Sequence, residues 1–91
     1  MADLHLALKG AYFDAIKAGT KTEEYRMVCH FWAIRIERKD IDRLILTRGY
    51  PKRTDRSRRL VLPWRGYTIN TITHPHFGNV PIEVYAIRVA P

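Results

Sequence analysis

Lys17-Ala18-Gly19-Thr20-Lys21-Thr22-Glu23-Glu24-Tyr25-Arg26 runs from the end of an amphipathic segment, through a glycine, into a charged stretch. Upstream, Phe13 and Ile16 lie three apart beside Tyr12 and Ala15, while Asp14 and Lys17 can face water, so Ala11 to Ala18 is expected to be a short helix. Gly19 stands where a left-handed helix cap is expected, because glycine meets no steric penalty there. Thr20 to Val28 is too polar for a central strand but suits an exposed or cleft-lining one. Residues two apart on a strand share a face, so Glu24 and Arg26 project together and can pair, with Glu23 and Tyr25 pointing the other way. Lys21 lies in the turn before the strand, where its ammonium can reach the same groove and meet a phosphate or a substrate carbonyl. A plain alternative is a structural salt bridge between Glu24 and Arg26, with Lys21 simply exposed.

Working outward, Leu4 to Lys9 reads as a first strand and Ile41 to Thr47 as a core strand. Phe31 to Ile36 fits a strand or one helical turn. Gly49-Tyr50-Pro51 ends the core strand, and Lys52 to Arg59 reads as a loop or hairpin excursion. Leu60 to Leu62, Tyr67 to Thr73 and Ile82 to Val89 supply three more strands, with a bend or bulge at Pro63 and Gly66. Ninety-one residues suit one α+β domain spanning 1–91, with five or six strands and one or two short helices, and leave little room for a second core.

Gly19, Lys21, Glu24 and Arg26 resemble the Gly-x-Lys-x-x-Glu-x-Arg signature of the ASCH domain, and the preceding strand and helix come in the order that family shows. Phe31-Trp32-Ala33 and Arg48-Gly49-Tyr50-Pro51 look like short bacterial or phage-type members. The resemblance implies a small PUA-like open β-barrel whose motif residues line a cleft proposed to bind RNA or a nucleotide. Some small ASCH proteins are amidohydrolases acting on acetylated cytidine with a lysine, a threonine and a glutamate. Lys21 matches that lysine, but Glu24 stands where the threonine nucleophile belongs, and a carboxylate cannot be activated and acylated as a hydroxyl is. Thr22 lies two residues too early, and Glu83 is a candidate for the glutamate without a secure alignment. Ribonuclease chemistry, also associated with the family, would need only Lys21, Glu24 and a nearby Tyr or His as acid-base groups.

The net charge of +7 resides entirely in residues 35–65, which carry eleven Arg or Lys against four acids, so a positive face for a polyanion is expected. Arginine's planar fork suits phosphate. Arg53, Arg56, Arg58 and Arg59 are the leading candidates for phosphate contact, with Arg48, Lys52 and Arg65 beside them. Tyr50, Trp64 and Tyr67 are candidates for stacking on bases, Trp64 being equally suited to core packing. The expected partner is RNA or another single-stranded nucleic acid. A nucleic-acid or nucleoside hydrolase using Lys21 and Glu24, a protein-interaction module and a merely solvated basic loop are the alternatives.

No cofactor or metal is expected. Thr73-His74-Pro75-His76 brings two imidazoles together without the further ligands a metal needs, and reads as a surface loop. Cys29, the single cysteine, reads as a buried small hydrophobe that cannot pair easily with His30 on one strand. With no disulfide, no basic and apolar leader and no stretch of about 20 apolar residues, the expected setting is the reducing cytoplasm.

Overall fold

The computed structural model describes residues 2–73, 75 and 78–90; His74 and His76 of the predicted histidine loop lie outside them. Strand β1 (Asp3–Leu8) leads into helix α1 (Gly10–Lys17), then β2 (Glu23–Met27), helix α2 (His30–Ile36), β3 (Arg43–Arg48), a 3₁₀ turn at Arg56–Arg58, β4 (Arg59–Pro63), β5 (Tyr67–Ile72) and β6 (Ile82–Arg88). The strands form two three-stranded sheets, in the orders β1-β3-β4 and β2-β6-β5. β1 runs parallel to β3, and all other pairings are antiparallel. The expected α+β class and six strands are present. No ladder among the described residues joins the two sheets into a closed barrel.

The two central strands carry continuous buried runs, Leu44-Ile45-Leu46 in β3 and Val84-Tyr85-Ala86-Ile87 in β6, as strands with neighbours on both sides require. Alternate residues of β1 (Leu4, Leu6, Leu8), β3 (Leu44, Leu46) and β6 (Tyr85, Ile87), together with Val89, Phe13, Ile16 and Ile36, make one apolar cluster shared by both sheets and both helices. The 31–36 block is helical. Its Trp32 and Ile36, four apart, fall on one face of the helix and pack on the cluster. Tyr85, fully buried, donates its hydroxyl to Glu37 at the end of α2 and so ties that helix to the second sheet.

Cys29 is exposed rather than buried, and the Cys29-His30 pair is not on a strand. The chain leaves the sheet at Val28, whose N–H still bonds to Glu83, and Cys29 then caps α2 at the surface. His5 faces solvent, as its place between Leu4 and Leu6 implies. No helix is long and apolar enough to cross a membrane.

Candidate functional site

α1 ends as the sequence requires. Gly19 takes φ +82°, its N–H bonds to the Ile16 carbonyl, and the Thr20 N–H reaches back to Ala15, the paired bonds of a glycine-capped helix end. The Lys21 N–H also bonds to the Ala15 carbonyl. This turn fixes where Lys21 begins. Its ammonium sits 5.2 Å from the ring centre of Tyr12 on α1 and 5.2 Å from that of Tyr25 on β2. Among the described residues Lys21 forms no ion pair.

β2 is an edge strand, laddered to β6 only. β1 is an edge strand of the other sheet, and Arg26 links the two strands. Its guanidinium donates from Nη2 to the Ala7 carbonyl (3.0 Å) and from Nη1 to the Tyr25 carbonyl (2.8 Å), and lies 3.6 Å from Glu24 Oε1 and 5.4 Å from the ring centre of Trp32. The expected pair of Glu24 with Arg26 is therefore present. Burial pulls the guanidinium below its ordinary value, opposed by Glu24 and Tyr50, and it stays cationic at neutral pH. Glu24 is only 5% exposed. Its Oε1 accepts from the Tyr25 N–H (3.0 Å), whereas its buried Oε2 has no hydrogen-bond donor among the described residues.

These side chains surround a pocket of about 410 Å³, lined by Lys9, Tyr12, Lys21, Glu24, Tyr25, Arg26 and Trp32 with Ala7, Leu8, Met27 and Ile72. Three cations face one carboxylate there. Tyr25, expected on the opposite face from Glu24, also lines the pocket. Burial first, then the Glu23 and Glu24 carboxylates, push its phenol above the ordinary value. Sequence reasoning missed Tyr12, Tyr25 and Trp32 as site residues. Tyr12 carried a signal, being an aromatic residue outside the Phe13/Ile16 face that α1 buries.

The basic segment begins beside this pocket. Leu8 pairs in register with Arg48, and its carbonyl accepts the Gly49 N–H (2.8 Å), so Gly49 and Tyr50 follow directly on the Leu8-Lys9 wall. Tyr50 is 95% exposed. Of the predicted phosphate contacts, Arg48 is paired with Asp14 (3.3 Å) and Arg58 with Asp55 (3.4 Å). Arg59 points Nη2 at the carbonyls of Pro51 and Lys52 (3.4 and 3.3 Å), which secures the loop. Lys52, Arg53, Arg56 and Arg65 are exposed and form no ion pair among the described residues.

The 48–65 segment is not one patch. β4 carries the chain from beside Thr47 to beside Arg43, the far end of β3, roughly 13 Å away at strand spacing. Trp64 and Arg65 consequently border a separate shallow hollow of about 500 Å³ with Arg88 and Ala90. Trp64 packs on the core and sits 6.4 Å from Tyr67, which in turn meets Tyr85 edge to face at 5.3 Å. Two of the three predicted stackers, Trp64 and Tyr67, are thus engaged in an aromatic chain running into the core.

Glu83 is exposed on β6, and neither it nor Thr22 lines the pocket. Among the described residues no group of three or more His, Cys, Asp or Glu is arranged to hold a metal ion. Compared with protein-family models, with curated proteins and with solved structures, the chain matches none.

Proposed function

We propose that this chain is a single-stranded nucleic-acid-binding module of the ASCH type, preferring RNA to DNA, with its two sheets forming a PUA-like open barrel whose open seam is the cleft between β1 and β2. The observation that carries this is continuity: Lys21, Glu24 and Arg26 converge on one aromatic-walled pocket, and the exposed Tyr50 and basic loop begin at its Leu8-Lys9 edge. A strand threading this surface would set phosphates against Lys52, Arg53 and Arg56 and offer a base to the rings, the combination by which single strands are commonly bound. Titrating a fluorescent single-stranded RNA at several salt concentrations tests this. Log Kd is expected to rise linearly with log salt, with a slope of about 0.7 per phosphate contact, and Lys21→Ala is expected to weaken binding. A slope near zero contradicts it.

A second reading is favoured by one observation, that Lys21 and Glu24 share the pocket. If they act as an acid-base pair in a nucleic-acid or nucleoside hydrolase, product will accumulate catalytically and vanish in a folded Lys21→Ala variant.

A further inference from the structure

Four strands stand at sheet edges, β1 and β4 in one sheet, β2 and β5 in the other. A free edge presents unpaired N–H and C=O groups that template a further strand, and proteins blunt it with charge, proline or a covering side chain. Three of the four are blunted. Arg26 occupies the Tyr25 carbonyl of β2 and the Ala7 carbonyl of β1. On β4 the Trp64 N–H bonds to the Asp42 carbonyl, so by alternation Leu60 and Leu62 also bond to β3. The outward groups of β4 then belong to Arg59, Val61 and Pro63, one valine between a charge and a residue with no N–H.

β5 has no such guard. Tyr67–Ile72 carries neither charge nor proline, and residues 66–81 as a whole contain no Asp, Glu, Lys or Arg. Thr68, Ile69, Asn70 and Thr71 are all exposed, Ile69 by 48%. Register fixes where the backbone points. Gly66 accepts from the Arg88 N–H, and bonding alternates along an antiparallel pair, so Thr68, Asn70 and Ile72 bond to β6 while Tyr67, Ile69 and Thr71 turn N–H and C=O outward. Among the described residues no strand or loop meets these groups.

We infer that β5 is a self-association edge, on which a second copy of this chain pairs antiparallel about a two-fold axis at Ile69. That register uses all three outward residues. Tyr67 meets Thr71 of the second copy and Ile69 meets its own equivalent, each pair exchanging two bonds, about six in all. The side chains agree with it. Each exposed Ile69 covers the other, and on the opposite face Thr68 stands across from Asn70, a pair that already hydrogen-bonds within one strand at 3.3 Å. Charge agrees too, because the net +7 resides in residues 35–65. Arg65 and Arg88, at the Gly66 end, lie three or four residues from the axis, so those of the two copies stand roughly 20 Å or more apart along the strands, beyond two Debye lengths at physiological salt. A polyanion finds no cation on β5 itself, and a charged peptide no counter-charge. The joined sheet runs β2-β6-β5-β5-β6-β2, which leaves β2 and its pocket at each outer edge.

Sedimentation equilibrium on nuclease-treated protein is expected to show monomer and dimer with a Kd of about 10–100 µM, as suits a contact well below standard interface size. Amide hydrogen exchange resolves the edge itself. Tyr67, Ile69 and Thr71 are expected to exchange fast in dilute protein and at least about tenfold more slowly well above the Kd, with Thr68, Asn70 and Ile72 protected at both concentrations. Thr71→Pro removes one outward donor per copy and no bond to β6, at a kind of position where edge strands accept proline. It is expected to weaken dimerisation about tenfold or more with the fold retained. Ile69→Lys sets two ammonium groups face to face at the axis and is expected to abolish the dimer. Should either variant not fold, the exchange pattern of the wild-type chain decides alone. A chain still monomeric at about 1 mM, a dimer indifferent to both substitutions, or outward amides whose exchange does not change with concentration overturns self-association through β5.

Discussion

Arg26→Ala is expected to lower the stability of the fold by about 3 kcal/mol, the lower end of what removing one partner of a buried ion pair costs. Arg26 does three things at the seam between the sheets. It satisfies the Ala7 carbonyl on β1, covers the Trp32 ring and offsets the charge of Glu24, itself almost wholly buried. Alanine leaves that carboxylate uncompensated and a strand-edge carbonyl without its donor. For a domain of this size the melting temperature should fall by roughly 10–20 °C. Adding Glu24→Gln to Arg26→Ala should restore a large part of the loss, since the stranded charge is what costs most, and a double-mutant cycle measures this directly. A shift within about 0.5 kcal/mol, the ordinary range for a surface substitution, would show that Arg26 does not join the sheets.

Lys52→Ala/Arg53→Ala/Arg56→Ala is expected to weaken single-stranded RNA binding at least tenfold at low salt and to reduce the log-log salt slope by about 2, three contacts at about 0.7 each. The melting temperature should stay near the wild-type value, because all three side chains are exposed and form no ion pair among the described residues. The choice of residues comes from the structure. Arg58 and Arg59, equal candidates by sequence, are occupied by Asp55 and by the Pro51 and Lys52 carbonyls, so their removal would disturb the loop as well as the charge. An unchanged slope in the triple variant would assign the basic loop to solvation.

Much of this architecture is legible in local pattern. The apolar runs at 44–46 and 84–87 announce central strands, Gly19 announces a left-handed cap, and the two-residue spacing of Glu24 and Arg26 announces their pairing. Other features depend on partners distant in sequence. Which strands share a sheet is decided by registers such as Leu8 with Arg48 and Met27 with Val84, and the link from β2 to β1 by the Arg26 bond to Ala7. The 31–36 block, five apolar residues and Arg35, fits a helix or a strand equally well by itself, because Trp32 and Ile36 share a face in either form. The same non-local geometry divides the basic segment, because β4 moves Trp64 and Arg65 to the far end of its sheet. Composition could count these charges but not distribute them.

Backbone amide and tryptophan side-chain NMR signals, followed while unlabelled single-stranded RNA is added at low salt, locate the binding surface directly. Shifts are expected at Lys21, Tyr25, Arg26, the Trp32 indole and the 50–56 loop, with little change at Trp64, Arg65 and Arg88. Shifts confined to the Trp64-Arg65-Arg88 hollow, or none at all, would contradict a nucleic-acid site in the cleft between β1 and β2.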